Sequence, residues 1–241
     1  MDEANEPNPQ AYGSLNALFT RDLKDSARPV NKDANAMLCP ADGVLSEYGQ
    51  MKDGQLLQAK GHSYSATDLL GGDSDRAAAF SSGSFATVYL APHNYHRVHA
   101  PVSGLLREMH HVPGKLFSVS LLTARTVPNL FARNERVVTV FDTDRGKVAV
   151  VLVGAMGVGD IETVWHGAVK PSAQKLTSSP LTSWLYPQNA SNKVELNAGD
   201  ELGRFNLGST VVMLFEKPIL WQENIAGSDV KMAQQLGSFS P

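Results

Sequence analysis

The residues best suited to chemistry lie near the C-terminus, in Leu207-Gly208-Ser209-Thr210. An apolar run, Val211-Val212-Met213-Leu214-Phe215, follows at once. A small Gly-Ser step entering a buried strand holds a hydroxyl in a defined place. Gly208 leaves its own carbonyl open to attack, because glycine adopts backbone conformations closed to other residues. A serine hydroxyl is a weak nucleophile and needs an adjacent base. The chain supplies base candidates in Tyr95-His96-Arg97-Val98-His99 and an orienting carboxylate in Pro40-Ala41-Asp42-Gly43. Read singly, each piece has a plainer meaning. Gly-Ser-Thr is also a tight strand entry, Asp-Gly is a common turn, and loop histidines are often satisfied internally. Asp42, His99 and Ser209 together offer the parts of a triad, which geometry and not chain order defines.

His93, His96 and His99 stand three residues apart and would share a helical face. Pro92 and Pro101 leave little room for a helix, and no adjacent carboxylate completes a ligand set, so no metal is expected. His62 and His166 read as structural or surface residues. The stretch 129–136 alternates polar and aromatic residues. It is either a solvated loop or an arginine site for an anionic headgroup.

Around these residues the chain must build a sheet. Strands are expected at 43–48 and 55–59 as a hairpin about Lys52-Asp53-Gly54, and at 84–90. A second hairpin is expected from 136–143 and 147–154 around Asp144-Arg145-Gly146, with further strands at 161–165 and 211–215. A short capped helix fits 67–70, ended by Gly71-Gly72. Leu15, Leu18, Phe19 and Leu23 space an amphipathic helix over 14–24, capped by Ser14. It either packs on the core or rests on lipid with Arg21 and Lys24 near the headgroups. Residues 1–10 read as a disordered lead-in, 171–192 as a surface loop, and 226–241 as a weak tail or short helix. The expected class is α+β, mainly β, in one domain with a sheet or barrel-like core.

The chain has 241 residues, 42% hydrophobic and 19% charged, ordinary values for a globular domain. A net charge of −3 gives no electrostatic case for nucleic acid. A single cysteine, Cys39, excludes an intrachain disulfide and cysteine metal clusters. No apolar run is long enough to span a bilayer, and the acidic start Met1-Asp2-Glu3 does not resemble a signal peptide.

The motifs taken together resemble the phosphatidylserine decarboxylase family of bacterial and mitochondrial type. The resemblance runs from about Tyr12 to Phe215. It is carried by Pro40-Ala41-Asp42-Gly43, Gln58-Ala59-Lys60-Gly61, Tyr95-His96-Arg97-Val98-His99, Phe117-Ser118-Val119, the 129–136 stretch, Val153-Gly154-Ala155, Glu162-Thr163-Val164-Trp165 and Leu207-Gly208-Ser209-Thr210. It implies self-cleavage between Gly208 and Ser209. Asp42 would orient His99, His99 would deprotonate Ser209, and Ser209 would attack the Gly208 carbonyl. The products would be a β subunit, 1–208, and an α subunit, 209–241, that begins with a pyruvoyl group. That carbonyl would take phosphatidylserine as a Schiff base and act as the electron sink for loss of CO2, with His96 the proton donor, giving phosphatidylethanolamine.

The implied partners are phosphatidylserine, a membrane surface, the two pieces of one precursor and a second copy in a homodimer. The implied location is peripheral, on the cytoplasmic face of the inner membrane. Family members usually carry more apolar sequence upstream, so a soluble, shortened form is expected. Two rivals of other classes stand beside this reading, as does a pyruvoyl decarboxylase acting on a soluble amino acid. One is a serine hydrolase using Asp42, His99 and Ser209, although Leu207 and Val211 stand where a Gly-x-Ser-x-Gly elbow has glycines. The other is a non-catalytic lipid-binding β module.

Overall fold

A computed structural model describes residues 1–59, 61–156, 161–169, 181–189, 193–206 and 209–240. Strand accounts for 42% of the chain and helix for 14%, which places it in the mainly β class expected. The β-branched runs form one large antiparallel sheet. Its strands lie in the order Thr182–Leu185, Gly104–Val112, Arg136–Thr143, Gly146–Val153, Ser209–Phe215, Ser84–Leu90, Gly43–Gln50 and Asp229–Val230. The sheet is open, so the core is not a closed barrel. The Ser209–Phe215 strand lies at its centre and is buried along its whole length. Full burial on both faces explains its unbroken apolar pattern, since one solvated face would have imposed alternation.

A smaller sheet packs nearby, with Gly167–Ala168, Ile161–Thr163, Glu201–Phe205 and Arg97–His99 side by side. A third sheet joins Ala36–Leu38, Gln235–Phe239 and Ile219–Trp221. The hairpin Arg136–Thr143 to Gly146–Val153 forms as expected, with Gly146 at φ 94° closing the turn. The helix Ala66–Leu69 forms as expected too, capped by the Ser65 hydroxyl and ended by Gly71 and Gly72 at positive φ.

Several local expectations are corrected. Gln55–Ala59 pairs with His62–Ser65, not with the 43–50 strand. The turn at Asp53-Gly54 exists, but Gly43–Gln50 is taken by Ser84–Leu90 and by Asp229–Val230. The tail from 226 is not weakly structured, because it supplies Asp229–Val230 and Gln235–Phe239. Residues 1–10 are tied down as well: Ala4 is buried and bridges to Leu23, and Asn8 caps a turn at Pro9–Ala11. Within the expected loop at 171–192, Thr182–Leu185 is an edge strand on Gly104–Val112, while 171–180 and 190–192 lie outside the described residues.

The N-terminal helix is much shorter than its apolar spacing suggests. It spans Leu15–Phe19, capped by the Ser14 hydroxyl. The Thr20 carbonyl, free at the helix end, accepts from Arg97 Nε at 2.9 Å, and Leu23 packs on Tyr95, Met232 and Ala233 instead of extending the helix. Among the described residues no helix is long and apolar enough to cross a membrane.

One close approach sets the position of Asp42. A Cβ built on Gly43 would lie 2.2 Å from the Tyr89 carbonyl oxygen, a contact with backbone that cannot rotate away. Gly43→Ala should therefore lower stability by about 1–3 kcal/mol, read as a lower urea midpoint. An unchanged midpoint would show that the two strands can part at little cost.

Candidate active site

Ser209 is the first residue of the central strand. Its Cα partner across the ladder is Leu90, and Thr210 lies between Tyr89 and Val153. The pairing with Leu90 decides the rest of the site. Residues 91–96 leave the Ser84–Leu90 strand next to Ser209 and carry the histidine motif into its neighbourhood. On the approach side, Phe205 N–H donates to the His96 carbonyl at 3.0 Å, and Arg204 is the register partner of Arg97. The chain thus comes in against His96 and resumes against Leu90. Leu207 and Gly208, the expected cleavage position, lie outside the described residues.

Ser209 is fully buried. Among the described residues its hydroxyl has no hydrogen-bond partner, and neither does the Thr210 hydroxyl beside it. Unpartnered buried hydroxyls are uncommon and mark places where chemistry or a missing group is served. A reactive carbonyl made from Ser209 would fit this position, because it replaces a buried, unpartnered hydroxyl inside a fixed ladder.

The two histidines of the motif have different surroundings. His96 is fully buried, and its Nδ1 lies 2.9 Å from the Asn94 carbonyl. A carbonyl only accepts, so Nδ1 carries the proton and Nε2 presents a lone pair. That Nε2 is buried without a partner among the described residues. Burial pulls its pKa down to about 4, against the help of the Asn94 bond, so the ring is neutral at pH 7. Phe19 from the N-terminal helix meets it edge-on at 5.0 Å. His93, the third of the series, is exposed, and Arg97–His99 is a strand and not a helix.

His99 has both nitrogens occupied. Nδ1 lies 2.8 Å from the Gly199 carbonyl, and Nε2 lies 2.9 Å from the Tyr95 hydroxyl. Nδ1 is therefore the donor, and Nε2 accepts from Tyr95. Burial lowers the His99 pKa, opposed by the Gly199 bond and by Glu201 and Asp42. Burial also raises the Tyr95 pKa, which keeps its hydroxyl protonated and able to donate.

Asp42 reaches the same end of the sheet but does not touch His99. Its carboxylate takes Arg28 Nε at 3.1 Å and Arg28 Nη2 at 2.5 Å, and the Met232 N–H at 2.8 Å. The link to His99 is through the backbone, where His99 N–H donates to the Pro40 carbonyl at 2.8 Å, and through space. Arg28 also holds Glu3 at 2.9 Å. Burial opposes the charge of Arg28, but the bonds to Asp42 and Glu3 outweigh it and keep the guanidinium charged. The same pairing draws the Glu3 pKa down to about 2.

Sequence reasoning missed Arg28 and Gly199, because nothing in their spacing signals contact with residues 14 and 100 positions away, and it gave Tyr95 no role although the histidine motif includes it. It also offered 129–136 as an anion site. Arg136 is instead buried, bonded to the carbonyls of Leu69, Asp68, Ala132 and Asn134. Arg133 lies over the Phe117 ring at 4.8 Å. Asn134 ties Phe117 to Gly154, so the stretch is a structural brace.

Two measurements follow from this geometry. A histidine neutral in the fold is protonated in the unfolded chain below pH 6.5, so stability should fall as pH drops from 6.5 to about 4. His96 alone should account for roughly 3 kcal/mol of that loss. His96→Gln should remove about one proton from the pH slope of unfolding free energy, and an unchanged slope would show that His96 is charged in the fold. Arg28→Met strands Asp42 and should cost about 3 kcal/mol by denaturant unfolding, with part regained in the Arg28→Met, Asp42→Asn double variant. Additive single effects would mean the pair is not coupled.

Comparison with known proteins gives the family of the chain. The phosphatidylserine decarboxylase family profile matches residues 15–238. The chain is similar to the phosphatidylserine decarboxylase proenzyme of Ectopseudomonas mendocina (strain ymp), at 54% identity over 99% of this chain and 82% of that protein. It is similar to the proenzyme of the same name from Stutzerimonas stutzeri (strain A1501), at 52% over 100% of this chain and 76% of that protein. A further relative of that name, from Bordetella pertussis, is 54% identical over 92% of this chain and 73% of that protein. A profile spanning nearly the whole chain, together with identity above half, leaves one assignment: the chain belongs to the phosphatidylserine decarboxylase family.

Proposed function

We propose that this chain is a proenzyme that cuts itself between Gly208 and Ser209 and then removes CO2 from phosphatidylserine. The observation that carries the reading is Ser209, buried at the head of the central strand with an unpartnered hydroxyl, in the neighbourhood of the His96 and His99 motif. Family membership sets aside the hydrolase and binding-module alternatives.

In self-cleavage, His99 Nε2 takes the Ser209 hydroxyl proton. For this it must first let go of the Tyr95 hydroxyl that it now accepts. The Gly199 carbonyl keeps the other nitrogen protonated, so Nε2 is the basic one. Ser209 Oγ then attacks the Gly208 carbonyl, the peptide C–N bond breaks and an ester forms. Loss of the Ser209 α-proton expels the Gly208 carboxylate. Water then replaces the nitrogen, ammonia leaves, and residue 209 is a pyruvoyl group. Asp42 supports the positive charge that His99 acquires, acting through space while Arg28 and Met232 hold it still.

In turnover the pyruvoyl carbonyl supplies an electron sink for the electrons left by departing CO2. His96 supplies a proton to the α-carbon that has lost CO2. Its Nδ1–H is held by Asn94, so the proton must be loaded on Nε2 and delivered from there. Burial of the site keeps water from competing for that carbon.

Leu15 is exposed on the N-terminal helix while Phe19 is engaged at His96. That exposed face supports peripheral contact with a membrane surface, because a two-chain lipid stays in its bilayer; the cytoplasmic face of the inner membrane is the location that goes with the family resemblance. The α and β pieces act as one unit, and a pair of such units as a homodimer is the assembly consistent with the family reading.

Intact mass under denaturing conditions tests the reading. Two pieces are expected, 1–208 and 209–241, the smaller lighter by one ammonia than its sequence. Ser209→Ala should leave a single full-length chain. A full-length wild-type mass that persists after prolonged incubation would overturn the proposal.

A further inference from the structure

Arg21 is a cation that its surroundings leave unused. Other arginines near the histidines are committed: Arg28 to Asp42 and Glu3, Arg97 to Asp22 and Glu201, and Arg204 to Glu201 and Glu162. Among the described residues, no carboxylate lies within salt-bridge distance of Arg21. Its Nη1 reaches only backbone carbonyls, Leu18 at 3.2 Å and Asn94 at 3.5 Å. Its Nε is buried without a partner. A sequestered N–H of this kind is costly unless something accepts from it, and an anion does so best.

The location of that cation is specific. The Asn94 carbonyl that Arg21 approaches is the one that accepts from His96 Nδ1. The guanidinium and the imidazole therefore sit side by side around one oxygen. Phe19, two residues before Arg21, rests on the same imidazole. Arg21 also borders a cleft of about 310 Å³ that contains Glu3, Arg28 and Asp42. The acids there, held by Arg28 and Lys231, make the cleft hostile to an anion. On its other side Arg21 meets the Asn94 carbonyl beside His96, away from those acids.

We propose that Arg21 binds the phosphodiester of the lipid substrate while the serine end of the headgroup lies against His96. This rests on the decarboxylase reading above. In phosphatidylserine only an ester oxygen and the β-carbon separate phosphorus from the α-carbon that loses CO2. A phosphate site must therefore adjoin the proton donor, and Arg21 adjoins His96. The planar guanidinium fork matches a phosphodiester, and a neutral His96 beside it does not compete for the anion.

The test uses the self-cleaved enzyme with phosphatidylserine in nonionic detergent micelles, where the surface carries no charge of its own. Arg21→Gln should raise KM about tenfold to hundredfold while kcat stays within about twofold, and Arg21→Lys should fall between. Inorganic phosphate should compete with substrate in the wild type and lose that effect in Arg21→Gln. An unchanged KM beside an active wild type would overturn the proposal. So would a KM rise seen only on anionic vesicles, which would assign Arg21 to surface attraction. If Arg21→Gln does not self-cleave, phosphate competition in the wild type and the Arg21→Lys KM decide, and absence of both effects overturns the assignment. A self-cleaved wild type with no activity on phosphatidylserine would instead sink the decarboxylase reading itself.

Discussion

The whole site depends on the double ladder that holds the Ser209–Phe215 strand. Ser84–Leu90 bonds it on one side and Gly146–Val153 on the other, and the strand has no solvent face. Such a strand cannot shift register without turning its side chains into the wrong layer. Ser209 is thus fixed relative to Leu90, and Leu90 fixes where the histidine loop begins. The same ladder governs what a chain break before Ser209 would do. Residues 209–215 would remain locked between strands of the first piece, with Asp229–Val230 and Gln235–Phe239 adding further pairings. Cleavage would alter the covalent structure and leave the fold in place.

Backbone carbonyls, not carboxylates, set the histidine chemistry. Asn94 and Gly199 each accept from a ring Nδ1 and so put both basic lone pairs on Nε2. A carboxylate in direct contact would have raised the pKa of its histidine; here burial dominates and both rings are held toward neutrality. The negative charge of Asp42 is largely spent on Arg28, which spans to Glu3 in the N-terminal segment. The position of Asp42 thus depends on the chain's first residues and, through Met232, on its last. That is a physical reason why residues 1–10 are ordered although their composition suggests otherwise.

Much of the sheet was legible in the sequence because its signals are local. β-branched runs around Asp144-Arg145-Gly146, the apolar run after Ser209 and the Gly71-Gly72 stop all depend on neighbours within a few residues. What failed was pairing between distant segments. Gln55–Ala59 looks like the second half of a hairpin with Gly43–Gln50, yet the longer partner Ser84–Leu90 claims that edge. The helix over 14–24 failed for the same reason. Its periodicity is real, but Arg97 captures the Thr20 carbonyl and Leu23 finds a better burial against Tyr95. Asp42, His96, His99 and Ser209 could be named because family motifs mark them. Arg28 and Gly199 carry no motif, and the bond from Tyr95 to His99 becomes visible only when the chain is folded.

On the function proposed above, the different environments of His96 and His99 suit the two reactions assigned to one short segment. His99 is closed at both nitrogens, so acting as a base requires a motion that breaks the Tyr95 bond. Such a base suits a reaction performed once per molecule, where slowness costs little and premature attack is suppressed. His96 is closed at Nδ1, and its Nε2 is buried with no partner among the described residues. A group that must load and deliver a proton in every turnover gains from having no bond to break first. Two residues, Arg97 and Val98, separate the two histidines, and the turn into the strand Arg97–His99 places them in different environments, one unpartnered at Nε2 among the described residues and one latched.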